Sequence, residues 1–267
     1  MIALDDVPFD HAVGLLSGGA LCAAHGDLSA RRPLASVTKL VTAWSCLVAV
    51  DRGLLGLDDP AGPEGSTIRH LLAHASGLPV DAEEPQAAPG KRRIYSNAGY
   101  DLLGRVLFEA TGAPVGRWIE ETVLEPLGMS ATEVPGSPAR SGVGTVEDLL
   151  VFGAEMLDPR LIRPETAAEA MRAQFSDLAG VVPGYGRQSP CPWGLGPEIK
   201  GGKSPHWMAP GASPETVGHF GVSGSFLWAD PTRGACAAFL GEEPFGAWHR
   251  EHWSRLNAAL VDIVDGA

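Results

Sequence analysis

The stretch P-L-A-S-V-T-K-L-V-T-A-W at residues 33–44 constrains the fold more than any other part of the chain. Val37, Leu40, Val41, Trp44, Leu47, Val48 and Val50 cover nearly every face of a helix running from about residue 36 to 52 and ending at Gly53. A helix that is apolar all round belongs inside a core. Lys39 sits in that run, and a buried ammonium is costly unless it is paired or gives up its proton. The chain carries only four lysines, Lys39, Lys91, Lys200 and Lys203, and otherwise uses arginine. Arginine keeps its charge in a protein, whereas a desolvated lysine can lose it. Position 39 therefore calls for a group able to become a neutral amine.

Ser36 opens the same helix one turn earlier, and residues at i and i+3 share a face. The lysine amine can then reach the serine oxygen, while free backbone N–H groups at the helix start favour negative charge nearby. A nucleophile, its base and half of an oxyanion hole fit within four residues. Taken alone, the spacing equally suits a capping serine with a snorkelling lysine.

With 267 residues the chain has ample length for a core, as one large domain or two intimate subdomains. Its net charge of -12 repels phosphate backbones, and no basic patch with interleaved aromatics is present, so nucleic acid is excluded as a partner. No apolar run approaches the roughly 18 residues of a membrane helix. The N-terminus, with Asp5 and Asp6 and no basic or long apolar region, reads as lacking a leader. Cys22, Cys46, Cys191 and Cys236 are scattered, which suits free thiols and a cytoplasmic protein.

Short apolar strands H-A-V-G-L-L and A-L-C-A-A-H-G joined by S-G-G predict an N-terminal hairpin. S-T-I-R-H-L-L-A-H-A-S-G predicts a short helix begun at Ser66 or Thr67 with Gly77 past its end. Tyr100, Leu103, Leu107 and Ala110 recur at helical spacing, and V-G-R-W-I-E-E-T-V-L-E-P-L-G-M and G-T-V-E-D-L-L-V-F-G-A-E-M-L are two more helix candidates. Strand character returns only after about residue 192, as a three-strand meander, E-T-V-G-H-F-G-V-S, G-S-F-L-W-A-D-P and G-A-C-A-A-F-L-G-E-E. A closing helix places Trp248, His252, Leu256 and Ile263 on one face. The expected α/β (α+β) architecture is one antiparallel sheet built from both termini, residues 1–60 and 190–267, with a helical subdomain, 61–189, inserted between them.

Three motifs in one order carry a family resemblance. S-V-T-K at 36–39 is an S-x-x-K, Tyr95-Ser96-Asn97 is a Y-x-N, and His219-Phe220-Gly221 is a Lys/His-x-Gly on a predicted strand. With T-I-R-H-L-L-A-H-A-S-G-L-P and E-P-L-G-M between them, residues 33–230 resemble the class C β-lactamases, D-alanyl-D-alanine carboxypeptidases and family VIII-type esterases. The resemblance implies a β-lactamase/transpeptidase-like fold and a serine hydrolase working through an acyl-Ser36 intermediate without cofactor or metal. Its substrate would be a small ester, amide or lactam. A β-lactamase or D-Ala-D-Ala carboxypeptidase is the alternative, and a non-catalytic acyl-binding sensor a second one. The oligomeric state is left open.

The implied roles fall residue by residue. Lys39 serves as base, and Tyr95 as base for Ser36 or acid for the leaving group, although a phenol is also a common core residue. Asn97 would accept from Lys39 and donate to a substrate carbonyl, or cap the helix that follows. His219 and Gly221 line the substrate strand, and the Val222 backbone N–H is the second oxyanion donor. An ordinary imidazole gains charge below about pH 6.5, so His219 would favour carboxylates as pH falls. Phe220 would add apolar surface to the site.

Rival patterns are weaker. His70 and His74 have zinc-like i, i+4 spacing but lack the glutamate of H-E-x-x-H, and read as ordinary surface or core histidines. His249 and His252 read as partly buried helix residues. No G-x-S-x-G elbow, Gly-rich phosphate loop or E-x-x-L-N helper loop is present. E-P-Q-A-A-P-G-K-R-R reads as a solvated loop near the site entrance.

Overall fold

The computed structural model describes residues 6–266. The reading of a leaderless N-terminus falls largely on residues 1–5, outside the described range.

Glycines at 18 and 19, both with positive φ, turn β1 (His11–Ser17) back into β2 (Ala20–His25). β3 (Arg32–Pro33) leads into a 3₁₀ turn, Ala35–Val37, and α1 (Thr38–Asp51). The expected single helix is thus a 3₁₀ turn holding Ser36 followed by an α-helix. Every α1 residue from Thr38 to Ala49 is buried, Lys39 included, as an all-round apolar helix requires.

α2 (Ile68–Leu72) is shorter than expected, because His74 turns left-handed at φ 54° well before Gly77. α3 (Asn97–Thr111), α4 (Val115–Ile119), a π turn at Glu120–Leu124 and α5 (Glu125–Leu127) complete the first helical group. β4 (Val143–Gly144) pairs with β3, and α6 (Val146–Leu157) starts at Thr145, whose side chain accepts from the Asp148 N–H.

α7 (Pro164–Met171) and the small hairpin β5 (Gly180–Val182) and β6 (Gly186–Gln188) were not expected; strands therefore return before residue 192. These elements are short and Pro- and Gly-rich, with little periodicity to read. A two-residue strand that was not expected, β7 (Glu198–Ile199), precedes the predicted three-strand meander, β8 (Val217–Gly221), β9 (Ser225–Asp230) and β10 (Ala235–Gly241). α8 (Ala247–Asp265) closes the described chain.

The main sheet runs β2-β1-β10-β9-β8-β7, antiparallel throughout, so strands from both ends of the chain pair directly along β1 and β10. Its central strands are buried on both faces. Alternate residues face α1 and α6 on one side, as Leu227 and Cys236 do, and α8 on the other, as Phe226 and Phe239 do.

The buried face of α8 is His249, Trp253, Leu256, Asn257, Leu260 and Val261, a stripe rotated from the expected one. Trp248 and His252 instead stack on each other at 4.8 Å, and Ile263 is exposed. Trp253 packs edge-on against Phe220, Phe226 and Phe239, so the ring that docks the helix is one residue past the expected His252.

The loop ending in K-R-R is also not simply solvated. Arg93 is buried and donates to the carbonyls of Ala73, Gln174, Phe175 and Cys191, clamping three separate backbone segments. Trp253→Ala should destabilise the protein by about 3–5 kcal/mol in urea unfolding. Trp253→Phe should cost much less, because it deletes a buried indole N–H that has no acceptor.

Candidate active site

The turn carrying Ser36 is fixed before any substrate arrives. Leu34 donates from its N–H to Gly142 O at 2.8 Å, and its own carbonyl accepts from Ser225 Oγ at 2.8 Å. Ser223 Oγ donates to Pro33 O at 2.8 Å, and Thr38 Oγ1 to Ala35 O at 2.6 Å. Ala35 takes φ 44°, a left-handed conformation unusual for a residue with a Cβ. This strained corner presents Ser36 beside the end of β8.

Gly221 permits that closeness. A Cβ there would fall 2.5 Å from Leu34 O and 3.0 Å from the Ala35 Cβ, so any other residue would push the strand away. The next residue, Val222, leaves its side chain exposed, and its carbonyl accepts from the Phe245 N–H. Its own N–H has no backbone acceptor among the described residues. The Ser36 N–H lies in the first turn of a helix, where such groups lack intrahelical partners.

Two side chains converge on Ser36 Oγ. Tyr95 Oη lies 2.6 Å away and Lys39 Nζ 3.4 Å away. Lys39 Nζ also donates to Asn97 Oδ1 at 2.7 Å and to Ala139 O at 2.9 Å, and it sits 4.7 Å from the centre of the Tyr95 ring. Burial holds its pKa well below the usual lysine range; the Arg140 charge adds to that, while Asp101 and Asp81 oppose it.

Asn97 does not cap α3. Ser96 does, accepting from the Gly99 N–H at 2.9 Å, which releases the Asn97 side chain to face Lys39. Asn97 Nδ2 donates to Asp81 Oδ1 at 3.0 Å, which uses one of the two N–H groups of the amide expected to face a substrate carbonyl. Asp81 is in turn held by Arg140 at 2.6 Å. Neither Asp81 nor Arg140 was anticipated, since both lie in loops outside the three motifs.

Tyr95 is partly buried. Burial raises its phenol pKa, with only partial compensation from the Ser36 hydrogen bond. The phenolate expected beside a charged lysine is therefore disfavoured, because Lys39 lies over the ring face and is itself pushed toward neutrality. His74 packs on the Tyr95 ring at 4.7 Å between centres, and its Nδ1 accepts from the Ser96 N–H at 3.1 Å. His74 thus supports the Y-x-N segment, a role its spacing from His70 did not suggest. His70 Nδ1 instead meets Thr67 Oγ1 at 2.9 Å.

His219 faces the same aromatic group, with its ring 5.7 Å from that of Tyr95 and 5.6 Å from that of Trp193. Burial and then the Lys39 charge push its pKa down to about 3, so the expected gain of charge near pH 6 does not occur. Nδ1 donates to Phe220 O at 2.7 Å. Phe220 adds no apolar surface to the site. Strand alternation turns it to the opposite face, where it is buried against Tyr185, Phe245 and Trp253.

Comparison with known proteins follows the same geometry. Residues 27–261 match the protein family described as Beta-lactamase. A crystal structure described as a β-lactamase from Mycobacterium bovis is 41% identical, with a TM-score of 0.96 over 98% of this chain and 97% of that one. The D-alanyl-D-alanine-carboxypeptidase/endopeptidase AmpH of Escherichia coli (strain K12) is 31% identical over 142 residues, 39% of this chain and 37% of the relative. Penicillin-binding protein 4* of Bacillus subtilis is 29% identical over 170 residues, covering 48% and 36% respectively. The matched region is thus little more than a third of the length of either curated relative. With the family match spanning nearly all of the chain and a close structural counterpart along its whole length, this protein belongs to the β-lactamase family of serine hydrolases.

Proposed function

We propose that this hydrolase cleaves uncharged carboxylic esters or amides through an acyl-Ser36 intermediate, with water as acceptor. The single observation carrying the proposal is Ser36 Oγ, which lies between a buried amine and a partly buried phenol. A neutral Lys39 has two N–H donors for Asn97 Oδ1 and Ala139 O, leaving its lone pair for the serine proton. Serine gives that proton to Nζ as Oγ bonds to the carbonyl carbon. The backbone N–H groups of Ser36 and Val222 hold the resulting oxyanion. As the intermediate collapses, the lysine proton passes by way of the Tyr95 hydroxyl to the departing oxygen or nitrogen. Tyr95 thus ends the step protonated, as its raised pKa favours. Water then repeats the sequence on the acyl-enzyme, losing its proton to Lys39 and expelling Ser36 Oγ as the leaving group.

His219 supports the choice of substrate. Standing where β-lactam-processing relatives commonly carry a lysine, it supplies no charge for a carboxylate at neutral pH. The observation favouring a lactamase is the 41% identity to the Mycobacterium bovis protein. A sensor that acylates without turnover is the remaining reading. We also assign the protein to the cytoplasm, a reading supported by four free cysteines, three of them buried. No helix among the described residues is long and apolar enough to cross a membrane.

Ser36→Ala should abolish both ester turnover and fluorophosphonate labelling, followed by intact mass. Lys39→Ala should lower kcat by about 10²–10⁴-fold, and Lys39→Arg should not restore it. Tyr95→Phe should fold normally and lose most of its kcat. One-shot acylation by wild type without turnover would mark a sensor.

The pH dependence has two parts. The working form of Lys39 is the neutral one, so kcat/KM on a neutral ester is retained above its lowered pKa and lost as pH falls through it. The ratio of kcat/KM for a carboxylate-bearing penicillin to that for the ester should stay low and flat from pH 6 to 8, because His219 remains uncharged throughout. A ratio that favours penicillin would make lactam hydrolysis the activity.

Thiol titration of denatured, unreduced protein should find four free cysteines. Two or fewer would contradict the cytoplasmic assignment.

A further inference from the structure

The segment P-E-I-K-G-G-K-S-P-H-W-M at 197–208 holds two of the four lysines and takes no part in the chemistry above. It forms one wall of a cavity of about 380 Å³, whose Tyr185 packs edge-on against Phe220. The opposite wall is Arg250 and Ser254, one turn apart on α8, and the turn between β5 and β6 contributes Tyr185. In a chain of net charge -12, no aspartate or glutamate lines this cavity.

Some of the polar groups here are already committed. Lys203 Nζ donates to Glu198 Oε1 at 2.7 Å and to the carbonyls of Pro192 and Ile199. His206 Nε2 lies 3.1 Å from the same carboxylate oxygen, and Trp207 Nε1 donates to the other at 2.9 Å. Glu198 is thus fully engaged behind the wall and leaves no net negative charge toward the cavity.

The remaining groups are donors in excess. Lys200 Nζ reaches only the Gly201 carbonyl, at 3.5 Å, and Arg250 has no ion pair among the described residues. The Tyr185 side chain is 94% buried by its 6% exposure, yet its hydroxyl has no hydrogen-bond partner. A buried hydroxyl without a partner is destabilising unless a ligand supplies an acceptor, and the Arg250 charge acts on this same phenol. Met208 and Pro205 provide an apolar floor.

We propose that this cavity is a second binding site, separate from the catalytic serine, for a small organic anion whose carboxylate or phosphate group is held by Lys200, Arg250 and the Tyr185 hydroxyl. Arg250 offers a planar fork and Lys200 a point charge, a combination that suits either oxyanion. Burial and the nearby Lys203 lower the Lys200 pKa, and a bound anion offsets both effects. Because Ser36, Lys39 and Tyr95 are not among the residues lining this cavity, occupancy does not require acylation of Ser36, and the inference does not depend on the proposed substrate.

Thermal denaturation and calorimetric titration with inorganic phosphate and with succinate, against sodium chloride at equal ionic strength, test it. The expected result is a saturable rise in Tm and measurable heat with at least one of the two probes, and the stronger one identifies the head group. Lys200→Met should weaken that binding by about ten-fold or more, and Tyr185→Phe by a smaller factor. Arg250→Gln, an exposed position, should weaken binding while ester turnover stays at the wild-type rate. No stabilisation beyond the chloride control by either probe, or binding that is unchanged in Arg250→Gln and Tyr185→Phe, overturns the proposal.

Discussion

The fold is arranged around one costly group, the amine of Lys39, which is completely buried inside a helix buried along nearly its whole length. A desolvated ammonium with no carboxylate in contact is unstable, and the equilibrium shifts toward the free base. The surroundings keep that shift within bounds. Asn97 Oδ1 and Ala139 O take two hydrogens and fix the amine in place without supplying a full negative charge. Asp81, which would favour the charged form, is shared between Asn97 and Arg140. The consequence is an amine aimed at Ser36 and able to take a proton from it.

Around this group the sheet acts as a rigid jig. The hydroxyls of Ser223 and Ser225 tie the end of β8 to Pro33 and Leu34, and the missing side chain at Gly221 lets the strand approach the strained Ala35 corner. Two backbone N–H groups, from Ser36 and Val222, are then placed by elements distant in sequence yet locked together by these short contacts. Strand alternation decides the rest. His219 turns toward Tyr95 and Trp193, while Phe220 turns into the second core. A substitution at 219 acts on the site, and one at 220 acts on stability.

The sequence made some of this legible because the signals were local. Ser36 and Lys39 lie one helical turn apart, the meander alternates with period two, and the apolar helix could only be buried. The features that escaped depend on partners far along the chain. Arg93 looks like part of a charged loop until residues 73, 174, 175 and 191 surround it with carbonyls. Asn97 looked equally suited to capping, and only the geometry at Ser96 decides between them. Trp253 was passed over because α8 presents aromatic residues on several faces, so helical spacing alone does not choose the docking face. The lowered pKa of His219 is not legible for a related reason: burial and the neighbouring Lys39 come from tertiary structure, whereas the sequence supplies only the ordinary value.

Two buried lysines in one chain show how the partner decides the chemistry. Lys203 is as enclosed as Lys39, but it donates to a carboxylate, Glu198, and to two carbonyls. Burial alone would raise the Glu198 pKa; Lys203 and His206 outweigh it and hold the carboxylate below its usual range. A pair of this kind costs several kcal/mol when either member is lost. Lys39 has the same three contacts in number, but they are an amide oxygen, a backbone carbonyl and a serine hydroxyl. None of them requires the ammonium, so the proton can leave and return. The same residue type thus serves as a strut near residue 200 and, in the proposed mechanism, as an exchangeable base at 39, and the difference lies in one negative charge.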